Sequence, residues 1–207
     1  MNFIVFGASG RVGRCFLTKA AAAGHNVTAF VREPAKLKDH TSLTIVAGDI
    51  RNRKAVDAAL VPRFDAVVVC IGETGLKPST VITDGFAAIA AAMTAHDQHR
   101  FVGVSGSAEM PQKTLGGRLY TQILRLTPVG NAIRDHDGGL RVLKNSSLDW
   151  VLAGCNYLPE GPERGSYRTS LVFSGGAKRI HPPDVADFLL MEAATPRFHR
   201  EVVGIWY

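Results

Sequence analysis

Three glycines near the start of the chain constrain its fold more than any other feature. They stand three residues apart, at Gly7, Gly10 and Gly13. The apolar run Phe3–Phe6 precedes them, and the Ala-rich segment Arg11–Ala23 follows. The run predicts a buried strand and the segment predicts a helix, so the glycines are predicted to form the turn between them.

This turn suits a phosphate ligand. Gly7 permits the tight turn, Gly10 lets the backbone approach a pyrophosphate, and Gly13 lets the helix pack closely on the strand. The N-terminus of the helix adds free N–H groups and a partial positive charge. Because a predicted strand and helix flank the glycines, the pattern predicts binding of a dinucleotide rather than a structural turn alone.

Short β-branched runs alternate with longer helical stretches along the rest of the chain. Strands are predicted at Asn26–Val31, Leu43–Ala47, Asp65–Ile71, Phe101–Ser105, Leu148–Ala153, Ser170–Phe173 and Val202–Ile205. Helices are predicted at Asn52–Leu60, Ser79–His96, Asn131–Asn145 and Asp184–Ala193, with a helix and loops over Met110–Pro128. The alternation predicts an α/β fold: a Rossmann-like, doubly wound parallel sheet with helices on both faces. We expect one domain over residues 1–207, with a small irregular C-terminal substrate region.

The composition narrows the classes of partner. The charged fraction of 20% and hydrophobic fraction of 46% are ordinary for a globular protein, and no apolar run is long enough to span a bilayer. The N-terminus lacks the features of a signal peptide, and three scattered cysteines favour a reducing cytoplasm. The net charge of +6 is spread along the chain rather than clustered. We therefore expect no nucleic acid, membrane or metal partner.

The end of the second predicted strand bears on the choice of cofactor. Folds that prefer NAD place an acidic residue there for the ribose 2′-hydroxyl, whereas this chain has Arg32. A guanidinium can hold a 2′-phosphate bidentately, and Lys36 could add a second positive charge. Glu33 lies one position too late for the acidic role. The sequence favours NADP(H) over NAD(H), with a solvated Arg32 as the alternative.

Two later strand ends complete the predicted cofactor site. Asp49 follows the third strand and is placed to meet the adenine edge. The segment Ile71-Gly72-Glu73 closes the fourth strand, where a glycine would let a dinucleotide pass close to the backbone. A turn alone is the alternative role for Gly72.

Several segments together resemble a known family. GASGRVG, VREPAKL, AGDI, VVVCIGE, LKPSTVITDG and AAMTAH occur in the order and spacing of the atypical short-chain dehydrogenase/reductases. The nearest members are the biliverdin-IXβ reductase/flavin reductase-like proteins, followed by NmrA-like proteins. The resemblance runs through nearly the whole chain and includes the segment Asp184–Leu190. It implies an NADP(H)-binding Rossmann domain that transfers hydride to a planar acceptor.

The resemblance also implies roles for individual residues. It places Ser9, Arg11 and Val12 beside the glycines at the phosphates, and Ile50 beside Asp49 at the adenine. Ser107 matches a serine near the nicotinamide, with Ser105 just before it. His136 fits a family pattern near the start of the helix before the sixth strand. His136 is therefore either a proton relay or an ordinary polar residue at a helix start.

The loop after the sixth strand departs from the family. Members carry a proline pair and a histidine near the nicotinamide, whereas this chain has Asn156 and Tyr157 at the second proline and the histidine. Biliverdin is therefore a doubtful substrate. Tyr157 could stack on a planar acceptor or pack the loop onto the core. Ser107 could donate to the nicotinamide or acceptor, or cap the fifth strand.

The catalytic pair of most short-chain dehydrogenases is also absent. Tyr120, Tyr157 and Tyr167 each lack a lysine four residues later, which disfavours alcohol–ketone chemistry. We expect an NADPH-dependent reductase of a flavin or quinone, with the flavin as substrate rather than prosthetic group, acting as a monomer or homodimer. A non-catalytic NADP(H) sensor of the NmrA-like type is the alternative, and a nucleotide-sugar epimerase or dehydratase is a third reading.

Overall fold

The structure, a computed structural model, describes residues 1–37, 43–72, 77–173, 175–176 and 178–207. Its strands are β1 Asn2–Phe6, β2 Asn26–Val31, β3 Thr44–Ala47, β4 Ala66–Val69, β5 Arg100–Gly106, β6 Asp149–Cys155, β7 Arg168–Ser170 and β8 Glu201–Trp206. Its helices are α1 Arg11–Ala22, α2 Arg53–Ala59, α3 Val81–Ala95, α4 Leu115–Arg125, α5 Val129–Lys144 and α6 Pro182–Ala194. Single 3₁₀ turns cover Pro34–Leu37 and Ser107–Glu109.

The eight strands form one sheet in the order β3-β2-β1-β4-β5-β6-β8-β7. All neighbours are parallel except the edge strand β7, which runs antiparallel to β8. Helices α1 and α6 pack on one face, and α2, α3 and α5 on the other. The predicted doubly wound α/β fold is confirmed, with one antiparallel edge. The strand order reverses between β1 and β4, which is where such sheets bind ligands.

Local sequence signals explain the ends of the first two helices. Gly24 adopts φ +74°, and the bonds Gly24 N→Ala21 O and His25 N→Ala20 O close α1 as a Schellman motif. Asn52 caps α2, because its side chain accepts from the N–H groups of Lys54 and Ala55. The residue types account for both features, since glycine readily adopts a positive φ and asparagine is a preferred N-cap.

The predicted strand at Ser170–Phe173 is wrong by about two residues. The Oγ of Ser170 bonds both the N–H and the carbonyl of Val172, which turns the chain and ends β7 at Ser170. Phe173 instead forms an isolated bridge with Gln112. The local side-chain bond therefore overrides the β-branched composition.

The glycine pair Gly138-Gly139 lies inside a continuous helix, α5. A Cβ on Gly138 would stand 2.1 Å from Oγ1 of Thr83, and one on Gly139 would stand 3.0 Å from Ile82. The glycines thus let α5 approach α3 closely, and this packing offsets their low helix propensity.

Candidate functional site

A cleft opens at the carboxyl ends of β1, β2, β3 and β4. It encloses about 370 Å³. The lining includes predicted residues from all four strand ends, namely Gly7, Ser9, Gly10, Arg32, Asp49, Ile50, Ile71 and Gly72. Residues far apart in the sequence therefore share one cleft at the point where the strand order reverses. Glu73 is also a predicted contact, but it lies outside the described residues.

The glycine turn, Gly7 to Gly13, lies at one end of the cleft, which we call the phosphate end. Gly7 has φ +76°, and a Cβ there would stand 2.7 Å from the carbonyl oxygen of Cys70. A Cβ on Gly13 would stand 2.4 Å from the Gly7 carbonyl, so only glycine permits this contact between helix and turn. Both positions carry the structural role that the motif predicts.

The start of α1 is open to a ligand. Its N-cap residue is Gly10, and no side chain among the described residues caps the helix there. The first N–H groups, which belong to residues such as Arg11 and Val12, are therefore free for an anion. A Cβ added to Gly72 would have no heavy atom within 4 Å in the described part of the chain, so the space beside this backbone is open. An anion site beside open backbone fits a dinucleotide.

The far rim of the cleft carries the positive charge. Arg32 is exposed there, and within the described residues its guanidinium has no hydrogen-bond or ion-pair partner. Lys36 differs, because its Nζ lies 2.8 Å from Oε1 of Glu33 in an exposed ion pair. Lys36 would have to leave Glu33 to bind a phosphate, whereas Arg32 is free to do so.

Asp49 is held by a second arginine in the cleft, Arg51. The guanidinium of Arg51 donates to both carboxylate oxygens of Asp49, at 3.1 and 2.7 Å, and the Arg51 N–H adds a third bond at 2.9 Å. These bonds, with smaller charge effects from Arg51 and Arg32, lower the pKa of Asp49 to about 2. The cleft therefore holds two arginines with one carboxylate between them. Ile50 points toward α3 at Gly85.

The second end of the site lies at the carboxyl ends of β5 and β6. Ser107 is buried, and its Oγ accepts a 3.2 Å bond from the amide of Asn156. The hydroxyl of Ser105 lies 2.5 Å from Oε2 of Glu109 and 3.1 Å from Nδ1 of His136. His136 lies in the middle of α5, not at a helix start as one reading had it. Two hydrogen-bonded groups therefore lie at this end, Ser107 with Asn156 and Ser105 with Glu109 and His136.

Tyr157 is placed differently from Ser107. Its side chain is 61% exposed, and its hydroxyl has no hydrogen-bond partner among the described residues. Its backbone carbonyl accepts from Ile180. The predicted role of Tyr157 in stacking on an acceptor stays a prediction.

The loop that carries Tyr157 is anchored at several points. Arg11 donates to the carbonyl of Leu158 at 2.8 Å and contacts Glu160 at 3.3 Å. Farther along, the buried carboxylate of Asp184 accepts the N–H groups of Arg164 and Gly165. The loop is thus tied both to the phosphate end and to α6.

Comparison with known proteins agrees with this geometry. The sequence model of a family described as NAD(P)H-binding matches residues 7–196. The chain belongs to this NAD(P)H-binding family. It is also 26% identical over 208 residues to the protein YwnB of Bacillus subtilis (strain 168), covering 97% of this chain and 96% of YwnB.

Two solved structures show the same fold as this NAD(P)H-binding protein. ChuY, an anaerobillin reductase from Escherichia coli O157:H7, has a TM-score of 0.81 at 17% identity, covering 100% of this chain and 97% of ChuY. A short-chain dehydrogenase/reductase of Veillonella parvula DSM 2008, solved in complex with NADP, has a TM-score of 0.76 at 18% identity, covering 100% and 94%. The expected NAD(P)H-binding family is confirmed, and the two solved structures show that the fold is Rossmann-like.

Sequence reasoning missed two arginines, Arg51 in the cleft and Arg14 on α1. Arg14 donates to the carbonyls of Ser9 at 3.1 Å and Lys36 at 2.6 Å, which ties the glycine turn to the Arg32 segment. Arg51 follows Asp49 by two residues, and this spacing was the available signal for the pair. Glu109 was missed as well, because nothing in its local sequence marks it as buried.

Within the described ranges, no group of three or more His, Cys, Asp or Glu side chains could hold a metal ion. The three cysteines are free thiols, and burial raises the pKa of Cys70 to about 12. No helix formed by the described residues is both long and apolar enough to cross a membrane.

Proposed function

We propose that the chain is an NADPH-dependent reductase that transfers hydride to a planar acceptor such as a flavin or quinone. The observation that carries the cofactor choice is Arg32, whose exposed guanidinium has no partner among the described residues and stands at the rim of a cleft whose other end is a glycine turn. A 2′-phosphate would give this guanidinium a bidentate partner. NADH offers no such group.

The glycine turn and the N-terminus of α1 would hold the pyrophosphate through backbone N–H groups. Arg32 would hold the 2′-phosphate, with Lys36 as a second cation once it leaves Glu33. Asp49, Ile50, Ile71 and Gly72 would line the adenosine half. Bound NADPH would supply the hydride, and the protein would supply position and electrostatics.

The region around Ser107 and Asn156 at the carboxyl ends of β5 and β6, which we call the acceptor end, favours a conjugated acceptor over an alcohol or ketone. Ser107 and Asn156 are neutral hydrogen-bonding groups and can orient a planar ring without ionising. Tyr120, on α4, is 57% exposed and has no lysine four residues later. A flavin or quinone delocalises the charge that arrives with the hydride, so it does not need the tyrosine–lysine pair.

The test is turnover with purified protein. NADPH is mixed with FMN, FAD, benzoquinone or biliverdin, and the absorbance of the reduced nicotinamide is followed. We expect turnover with a flavin or quinone, faster with NADPH than with NADH, and little with biliverdin. NADPH binding without turnover of any acceptor would contradict the reductase proposal.

A second candidate function is a non-catalytic NADP(H)-binding sensor that acts through a protein partner. The exposed apolar side chains at the surface of α4 and just beyond it favour this reading; they are Leu115, Leu119, Tyr120, Ile123 and Leu126. The exposed Tyr157 favours it too, since its hydroxyl makes no hydrogen bond to any described residue. A sensor would bind NADPH, show no turnover, and co-purify with a partner whose binding changes with the cofactor's redox state.

A further inference from the structure

A buried carboxyl group lies beside the acceptor end and takes no part in the cofactor cleft. Glu109 sits in the 3₁₀ turn directly after β5, two residues beyond Ser107. Its Oε2 contacts the hydroxyl of Ser105, while its Oε1 is buried with no hydrogen-bond partner among the described residues. An ionised carboxylate with one unpaired buried oxygen is strongly disfavoured, so the geometry favours the protonated acid.

The Ser105 hydroxyl joins this carboxyl to His136. A hydroxyl carries one proton, so it can donate to only one of its two neighbours. When Glu109 is protonated, the acid donates to Ser105 and Ser105 donates to Nδ1 of His136. When Glu109 is ionised, Ser105 donates to the carboxylate and Nδ1 of His136 donates to Ser105. The three groups therefore have two complete hydrogen-bond arrangements that differ by one transferred proton.

The surrounding charges favour the arrangement with a protonated acid. Burial, with a smaller effect of the Asp137 charge, raises the pKa of Glu109 to about 8, against the opposing effects of the Ser105 hydroxyl, the Gly106 N–H and the Arg125 charge. Burial lowers the pKa of His136, against the smaller effects of Asp135 and Asp137. Cys155, on β6, also faces Glu109, but its own pKa is raised far above neutrality. At neutral pH the proton therefore rests on Glu109, and an imidazolium at His136 would be a strong proton donor.

The fold places Ser105, Glu109 and His136 on the side of the site where the acceptor is proposed to bind. The carboxyl ends of parallel strands meet at one edge of the sheet, and β5 is two strands from β1, which is about 10 Å. Ser105 therefore lies on the same edge as the glycine turn, displaced toward the acceptor end. Helix α5, which carries His136, packs against the turn that contains Ser107 and Glu109.

We infer that Glu109, Ser105 and His136 form a proton-transfer chain that stores the proton consumed when the acceptor is reduced. The inference rests on the proposed function, because a flavin or quinone that receives hydride must also gain a proton. The O–H bond of Glu109 breaks as its proton joins the Ser105 oxygen, and Ser105 passes its own proton to Nδ1 of His136. The imidazolium then gives its Nε2 proton to the reduced acceptor. Water supplies a new proton to Nε2 as the Nδ1 proton returns through Ser105 to Glu109, which restores the starting arrangement.

The first experiment needs no cofactor or acceptor. Infrared spectroscopy of the wild-type protein should show a protonated carboxyl band at pH 7 that is lost as the pH rises through about 8. The band should be absent in Glu109→Gln and present in the control Glu201→Gln, which removes an exposed carboxylate at the start of β8. Absence of the band in wild-type protein at pH 7 would overturn the inference.

The second experiment measures turnover with NADPH and benzoquinone. Wild-type kcat should be constant at low pH and fall above about pH 8, with a solvent deuterium isotope effect. Glu109→Gln and Ser105→Ala should each lower kcat on the order of 10²-fold and remove the high-pH fall, with little change in the Kd for NADPH. An unchanged pH profile and isotope effect in both variants would overturn the inference.

The two experiments separate this inference from the proposed function. A wild-type infrared band without any turnover would contradict the reductase proposal and retain Glu109 as a buried acid coupled to His136. Turnover without the band would retain the reductase and overturn the proton-transfer chain. If Glu109→Gln does not fold, Ser105→Ala tests the same link and leaves the carboxyl in place.

Discussion

The two ends of the site are built in opposite ways. The phosphate end comes from contiguous residues, Gly7 to Gly13, whose chemistry is that of the backbone. The acceptor end joins Ser105 to Glu109 and His136, and Ser107 to Asn156, through side chains that come from distant parts of the chain. The first end can tolerate no Cβ at Gly7 or Gly13, whereas the second depends on particular functional groups. Substitutions should therefore affect binding at one end and proton chemistry at the other.

The largest effect is expected at Gly13. Gly13→Ala would place a Cβ 2.4 Å from the Gly7 carbonyl, so the turn or the helix must move. We expect NADPH affinity, measured by fluorescence titration, to fall on the order of 10²-fold, with a lowered Tm. Gly116→Ala is the control, since a Cβ there meets nothing within 4 Å among the described residues. Equal NADPH affinity in both variants would contradict the role of the glycine turn.

Arg32 should show the next largest effect, and one limited to a single cofactor. Arg32→Ala should weaken NADPH binding by about 10- to 100-fold, because a charge-assisted contact is typically worth about 1.5–3 kcal/mol. NADH binding should change little. Arg63→Ala, which removes an exposed arginine far from the cleft, is the control. An equal loss for both cofactors would show that Arg32 does not contact the 2′-phosphate.

Glu109 should affect stability in a pH-dependent way. Its pKa is raised in the folded protein to about 8, so the folded state holds a proton that the unfolded chain loses near pH 4.5. Its contribution to stability is therefore complete below about pH 4.5 and is lost as the pH rises to about 8. Glu109→Gln should raise the Tm at pH 8 by several degrees relative to wild type, and by much less at pH 5. A Tm difference that does not depend on pH would contradict this.

The smallest effects should separate Asn156 from Tyr157. Asn156→Ala removes the bond to Ser107 and should lower kcat with a quinone by roughly tenfold, on the scale of one hydrogen bond. Tyr157→Phe removes an exposed hydroxyl and should change kcat less than about twofold, a negligible barrier change. The reverse ranking would make Tyr157 the residue that contacts the acceptor.

The geometry of the glycine turn could be predicted from the sequence because its determinants are local. The turn between a strand and a helix is visible in seven consecutive residues, and Arg32 directly follows the next strand. The acceptor end was predicted only in part. Ser107 came from a family resemblance, while burial of Glu109 depends on the packing of α5 against the end of β5. Such long-range packing has no periodic signature in the chain.

The same contrast applies to the fold. Strand β2 was predicted to the residue, and the other parallel strands were predicted to within two residues at each end, because β-branched and apolar runs bounded by turn residues mark them. Strand β7 was misplaced, because a side-chain bond of Ser170 decides where it stops. Helix α5 was predicted despite its two glycines. Their role, which is to let α3 pack closely against α5, depends on the tertiary structure and not on the local sequence.

Three consecutive residues of α5 serve three different neighbours. Asp135 accepts the N–H groups of Ile82 and Thr83 at the start of α3, and its neighbour His136 contacts Ser105. Asp137 forms an ion pair with Arg125 of α4. Inserting or deleting one residue upstream in α5 would turn all three side chains by about 100° and break every one of these contacts together. The length of this helix before Asp135 should therefore be far less free to vary than its surface residues.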